Sequence, residues 1–245
     1  MITYRDFELS GHSEAVGANG MAATSHPLSS LAALDILREG GNAVDAAVCA
    51  AAVQAVGEPT QTGLGGDCFA LLMRESDARP VALNGSGWSP AAAELSWYRE
   101  RGMAEIPVES PHAVTVPGSV AAWARLVADH GRLPWERVLQ RASVLAEDGA
   151  CIPERLARDW SRQVGKLRRN AAASALFLFD GEPPRPGTLH RQPALAQTLR
   201  TLAKQGAQAF YQGELAEHLV ATLREQGGLH RPEDFAPFAP EYVAP

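Results

Sequence analysis

Asn42-Ala43-Val44-Asp45-Ala46-Ala47-Val48-Cys49-Ala50-Ala51-Ala52-Val53-Gln54-Ala55-Val56-Gly57 is the stretch on which the fold turns. Asn42 suits an N-cap and Asp45 stands three positions on, the spacing of a capping box, so a helix is predicted over 43–56 with Gly57 ending it. That helix is apolar on nearly every face, and such a helix in water must be covered on several sides. Its alanines let neighbours approach closely. A thin helix lying on a sheet and itself overlaid is the arrangement this implies.

Working outward, Gly20 to Thr24 reads as a short buried strand, and Ser29 or Ser30 as the N-cap of a helix through Arg38 that Gly40 and Gly41 stop. Cys68 to Met73 and Pro80 to Leu83, separated by the polar turn Arg74 to Arg79, read as a hairpin of buried strands. His112 to Val116 is a further strand candidate closed by Pro117-Gly118, after which Ser119 caps a helix reaching His130 and ended by Gly131. Helices are then predicted over Trp135 to Asp148, Glu154 to Lys166, Ala194 to Gln205 and Glu214 to Gln226, broken by Gly149, Pro183-Pro184 and Gly227-Gly228. Strands come first and helices follow, which is the pattern of an α+β fold more than of a doubly wound βαβ array. The organisation expected is a single domain over 1–245, strand-rich over 20–118 and mostly helical over 119–230. A connecting segment over 231–245, rich in proline and aromatics, carries no helix or strand. That ending reads as a cut chain with more protein expected beyond Pro245.

With 245 residues, 46% of them hydrophobic and 20% charged, there is ample material for a core. The net charge is -6, and 22 Lys and Arg are scattered among 28 acids, so no basic stripe offers a nucleic-acid face and small molecules are the expected partners. The longest apolar stretch, Ala43 to Val56, is interrupted by Asp45 and Gln54 and falls short of the ~20 residues a bilayer crossing needs, so no membrane span is expected. Met1 to Ser10 holds no apolar run of the kind a secretory signal carries, which points to the cytosol. Cys49, Cys68 and Cys151 are an odd count without C-x-x-C spacing, so neither a disulfide framework nor a metal site is suggested.

Gly63-Leu64-Gly65-Gly66-Asp67 is glycine-rich but precedes a strand, whereas phosphate-binding glycines lie between a strand and a helix N-terminus. No cofactor is expected, and the glycines are read as allowing positive φ and close backbone approach. Cys68 opens an apolar strand, where a free cysteine acts as a small hydrophobe. Thr24-Ser25-His26 puts hydroxyls beside an imidazole, but sequence neighbours rarely meet with nucleophile and base geometry, and helix capping is the better account. His112, His130, His190, His218 and His230 lack His-x-His or i, i+4 partners and read as solvated.

Several stretches resemble one family. Gly20-Met21-Ala22-Ala23-Thr24-Ser25-His26-Pro27-Leu28 with Ile36-Leu37-Arg38-Glu39-Gly40-Gly41-Asn42-Ala43-Val44-Asp45-Ala46-Ala47 is similar to the opening signature of the gamma-glutamyltransferase family. Glu58-Pro59 with Thr62-Gly63-Leu64-Gly65-Gly66, Pro111 to Trp123, Phe210 to Ala216 and Gly227-Gly228-Leu229 continue the resemblance in the family's order. It implies part of a four-layer αββα N-terminal-nucleophile hydrolase fold, incomplete without a C-terminal smaller subunit. In the family a proenzyme cuts itself, and a threonine at the new N-terminus attacks an amide carbonyl while its own α-amine acts as base. That threonine is implied to lie beyond Pro245, so no residue of this chain is expected to be catalytic.

The family's larger subunit contributes substrate binding through an arginine in a Leu-Asp-x-Arg-Glu-x-x-Pro stretch. Here the stretch reads Leu83-Asn84-Gly85-Ser86-Gly87-Trp88-Ser89-Pro90, so Ser86 stands at the arginine's place and Asn84 at the aspartate's. A serine hydroxyl cannot replace a bidentate guanidinium on a carboxylate. The resemblance therefore points away from glutathione and toward the oxamate amidohydrolase branch, which releases ammonia from a small amide acid. Asn84 and Ser86 are the candidate substrate-binding residues, and a glycine-eased turn after a strand is the plain alternative for both. A glutathione hydrolase or transpeptidase, an acylase, a catalytically inert fragment, and a self-contained hydrolase using Cys68 or Ser25 are the competing readings.

Overall fold

A computed structural model describes residues 14–245; the reading of Met1 to Ser10 lies outside them. In chain order the helices are α1 (Pro27–Arg38), α2 (Ala43–Gly57), α3 (Leu95–Glu100), α4 (Ser119–His130), α5 (Trp135–Asp148), α6 (Glu154–Ser161), α7 (Val164–Leu167), α8 (Ala171–Phe177), α9 (Pro193–Gln205), α10 (Gln208–Tyr211), α11 (Glu214–Glu225) and α12 (Pro232–Phe235). The strands are β1 (Cys68–Leu72), β2 (Val81–Gly85), β3 (Ala150–Cys151), β4 (Leu189–His190) and β5 (Glu241–Val243). The architecture is α+β, and no helix among the described residues is long and apolar enough to cross a membrane.

The decisive helix forms as its sequence dictates. The Asn42 carboxamide accepts from Val44 N at 2.9 Å and Asp45 N at 3.1 Å, and the Asp45 carboxylate accepts from Asn42 N at 2.9 Å, completing the capping box. Asp45 is fully buried, and its carboxylate also receives the Arg132 and Leu133 N–H groups, so one side chain ties the start of α2 to the α4–α5 link. α2 packs against α1, α4 and α5, and α9 lies over α5. The helix resting on the sheet is α4, against β1 and β2, with α2 beside it. Gly149 (φ 105°) and Gly206 (φ 83°) end α5 and α9 in the left-handed region open to glycine.

Several expectations need correction. Gly20 to Thr24 forms no strand and pairs with none among the described residues, and Met21 is exposed. His112 to Val116 is not a strand: Pro111–Ala113 makes one 3-10 turn, the fixed proline φ starting it, and Val116 N then donates to Trp88 O at 2.9 Å. α1 is capped by His26, whose Nδ1 accepts from Leu28 N at 3.2 Å, and Pro27 takes the first position, moving the start ahead of Ser29 and Ser30. Ser119 is the first residue of α4 instead of its cap, and its hydroxyl donates to Leu64 O at 2.7 Å. The helix expected over 154–166 breaks into α6 and α7 around Arg162 and Gln163. The histidines are not all solvated: His190 and His230 are buried, as is His26, and burial lowers the pKa of all three.

The end of the chain carries the largest correction. Residues 232–245 hold α12 and β5, and β5 pairs antiparallel with β2 to give a three-stranded sheet in the order β1-β2-β5. A three-residue strand between prolines shows no length of alternation in sequence, so only its partner reveals it. Register assigns the faces, since directly opposed residues share one. Cys68, Ala70, Leu72, Leu83, Gly85 and Tyr242 face the helices, where Tyr242 donates to Asp129 Oδ2 at 2.7 Å. Phe69, Leu71, Asn84, Glu241 and Val243 share the other face. Phe69 is 70% exposed and Leu71 72%, so β1 is bare on that face, although Ala82 on the same face of the central strand is buried. A smaller core of Ile152, Leu156, Ala157 and Trp160 lies under β3, β4 and α6–α8.

Candidate functional site

The end of β2 is where separate stretches of the sequence converge. Asn84 Oδ1 accepts from Ser86 N at 2.9 Å, folding residues 84–86 into an Asx turn, while Asn84 Nδ2 donates to Glu241 Oε1 at 3.2 Å. Gly87 N donates to Asp67 Oδ1 at 3.0 Å, which brings the glycine-rich loop against the same turn. Ser86 is exposed, and its hydroxyl makes no hydrogen bond among the described residues. Asn84 is half-buried, and Asp67 and Glu241 are exposed.

Glycine makes this convergence possible at two positions. A Cβ on Gly87 would stand 1.6 Å from Val116 O, and one on Gly118 1.9 Å from Gly85 O. The strand end and the turn before α4 therefore touch backbone to backbone. Gly118 N and Ser119 N both donate to Gly66 O at 3.0 Å, closing the third side. The glycines of the 63–66 loop do not adopt the positive φ expected of them; close backbone approach is instead the role of Gly87 and Gly118.

Behind the turn is a second set of supports. Trp88 Nε1 donates to Asp234 O at 3.0 Å, and Asp234 Oδ1 accepts from Ala91 N at 2.9 Å. The Trp88 ring meets Phe238 edge-on at 5.0 Å, and Phe238 stacks on Tyr211 at 5.5 Å. Tyr211 donates to Pro117 O at 2.8 Å and accepts from Ala121 N at 3.0 Å, and burial holds its phenol above the usual range, so it is a neutral donor at physiological pH. The segment read as a connector is thus part of the scaffold under Ser86.

The other candidates are not placed for chemistry. The Ser25 hydroxyl donates to the buried Glu58 carboxylate, and His26 Nδ1 is occupied by Leu28 N. Burial pushes the Cys68 thiol up, against a smaller opposing effect of Trp123. No group of three or more His, Cys, Asp or Glu able to hold a metal gathers among the described residues. Asp67 and Glu241, which border the turn, went unnoticed in the sequence. Asp67 closes a run of glycines, and Glu241 stands among prolines whose spacing shows no strand, so neither carries a local signal.

The structure thus has a sheet backed by helices on one face, with Phe69 and Leu71 exposed on the other, and a polar turn at one end. Comparison with known proteins identifies the family. The gamma-glutamyltranspeptidase family model matches residues 29–245. The oxamate amidohydrolase proenzyme of Klebsiella pneumoniae subsp. pneumoniae is 42% identical over 222 residues, 88% of this chain and 42% of that protein. The cephalosporin acylase of Bacillus halodurans superposes with a TM-score of 0.91 at 35% identity, over 100% of this chain and 47% of that one. Helicobacter pylori gamma-glutamyltranspeptidase superposes with a TM-score of 0.89 at 28% identity, over 95% of this chain and 68% of that one. The chain belongs to the gamma-glutamyltranspeptidase family. It spans less than half the length of the amidohydrolase and acylase it matches.

Proposed function

We propose that this chain is the larger-subunit portion of a self-cleaving amidohydrolase that hydrolyses the amide of a small carboxylate such as oxamate. Asn84 and Ser86 form the wall of the substrate site that this chain contributes. The nucleophile is a threonine carried by the polypeptide that follows Pro245 and becomes the smaller subunit. Its hydroxyl attacks the amide carbon, its freed α-amine takes the proton, and backbone N–H groups hold the oxyanion. Water then releases the acid, so oxamate and water give oxalate and ammonia without a cofactor. The bare sheet face receives the layer supplied by that polypeptide, and the enzyme works in the cytosol with its three cysteines as free thiols.

The observation that carries this reading is the turn at residues 84–87. Where the family resemblance calls for a guanidinium, the structure has an exposed serine with no bonded cation beside it among the described residues, and a site without that clamp does not grip a glutamyl α-carboxylate. The identity to an oxamate amidohydrolase proenzyme supports the same choice. An acylase is the second reading, favoured by the full-length superposition on the cephalosporin acylase. The test is turnover by the complete protein: ammonia from oxamate against anilide from a γ-glutamyl anilide. Preference for oxamate by at least about a hundredfold in kcat/KM, on the order of 3 kcal/mol, is expected; preference for the anilide overturns the assignment.

A further inference from the structure

The corner of the sheet that holds Asn84 and Ser86 contains two groups that the proposed site has not used. Asp67 and Ser86 lie just past the paired residues Cys68 and Gly85, and hydrogen bonds gather them: Ser86 N donates to Asn84, Asn84 donates to Glu241, and Gly87 N donates to Asp67. Two carboxylates, one carboxamide and one hydroxyl thus meet at one corner of the sheet. Neither Asp67 nor Glu241 makes an ion pair with a Lys, Arg or His among the described residues.

The hydrogen-bonding valences of this corner are unequal. Asn84 has given its oxygen to Ser86 N and one N–H to Glu241, leaving it one donor. Glu241 has an unused oxygen, and so has Asp67, whose other oxygen holds Gly87 N. Free acceptors therefore outnumber free donors, and they carry two negative charges. A carboxylate offers only acceptors and the same sign of charge, so it finds repulsion here and few donors. An amide –NH2 offers two donors, and a charge-assisted bond to Glu241 strengthens as the nitrogen gains a proton on leaving.

We infer that Glu241 is a specificity-determining residue: steered by Asn84 and seconded by Asp67, it directs the amide nitrogen of the substrate to this wall and turns the substrate's carboxylate toward the part of the protein after Pro245. The inference rests on the amidohydrolase reading above and adds the orientation of the substrate. During the reaction the threonine oxygen bonds to the carbonyl carbon, the C–N bond breaks, and the proton lost by the hydroxyl passes through the α-amine to the nitrogen. The nitrogen leaves as ammonia from beside Glu241.

The test uses the complete enzyme carrying Glu241→Gln, which keeps an acceptor for Asn84 but removes the charge, with Asp67→Asn as a second variant that keeps the acceptor for Gly87. Two readouts are taken on each: kcat/KM for oxamate, and the inhibition constant of glutarate, a dicarboxylate with no amide. Opposite movements are expected in Glu241→Gln, with oxamate turnover down about tenfold and glutarate binding severalfold tighter. Asp67→Asn should repeat these opposite movements at smaller size. A variant that merely loosened the fold would weaken both. The inference is overturned if both quantities worsen together, if neither moves, or if oxamate turnover improves. If wild type releases ammonia from no small amide, the amidohydrolase reading falls and takes this orientation with it; if wild type is active and the opposite movements are missing, only the orientation falls.

Discussion

Asp45→Ala in the complete protein should lower the free energy of unfolding by about 4 kcal/mol, more than any ordinary helix cap would account for. The magnitude follows from what the carboxylate holds. It accepts Asn42 N at 2.9 Å, Arg132 N at 2.9 and 3.1 Å through its two oxygens, and Leu133 N at 3.4 Å, while fully buried. Two of these donors are well placed, and hydrogen bonds to a charged group contribute about 1.5–3 kcal/mol each, with the long third contact adding little. Alanine takes the acceptor away from all of these N–H groups and leaves a buried space where the carboxylate stood. Asn42→Ala removes the reciprocal cap together with the bond from Asn42 Nδ2 to His130 O, neither of which involves a charged group, and should cost less, about 1–2 kcal/mol. The assay is urea unfolding followed by tryptophan fluorescence, paired with amide hydrogen exchange at Arg132 and Leu133, where opening should become far easier in Asp45→Ala than in Asn42→Ala, because Asp45 alone accepts from those two amides while Asn42 reaches the link only at His130 O. If Asp45→Ala is within about 1 kcal/mol of wild type, or its two amides stay protected, the carboxylate is not the tie between α2 and the α4–α5 link.

Gly87→Ala puts a methyl where Val116 O stands 1.6 Å from the ideal Cβ, so the 84–87 turn must move; ammonia release should fall about a hundredfold, as a displacement of about 1 Å does, with a lower Tm in the same protein. His26, His190 and His230 have pKa values lowered from 6.5 by burial, so the unfolded chain binds protons that the folded one refuses. Stability is then complete above about pH 6.5 and is lost as pH falls below it toward the folded values, by up to about 1.4 kcal/mol per pH unit for each histidine. Urea midpoints at pH 7 and pH 5 should show this, with a shallower loss in His190→Gln. Cys49 is buried with its thiol pushed up to about 11, chiefly by burial, whereas Cys151 is exposed; a maleimide at neutral pH should label Cys151 rapidly and Cys49 only on unfolding, as peptide mass mapping would detect.

What the sequence could reveal depended on how local each cause is. The capping box of Asn42 and Asp45, the apolar helix after it and the long amphipathic helices rest on contacts within a few residues, and their bounds agree with the structure within a residue or two. β5 and the loss of the 112–116 strand depend on partners far along the chain, Asn84 with Glu241 157 residues away and Trp88 with Val116, and no short window along the chain contains both members. His190 and His230 misled for a related reason. Polar sequence neighbours suggested solvent, whereas Trp160 and Phe177 surround His190, and Phe235 lies against His230 only through the fold. The turn at Asn84 and Ser86 could be picked out by resemblance alone, and the carboxylates beside it became visible only with the register of three strands.

The central claim is that this chain is one portion of a self-cleaving proenzyme, and intact mass tests it most directly. The gene is read to its natural stop, the protein expressed, and its mass followed in time after purification. The account expects the precursor to give way to two species, the smaller beginning with threonine, at a rate independent of protein concentration. A single uncut mass, or a cut that leaves no threonine at the new N-terminus, contradicts it.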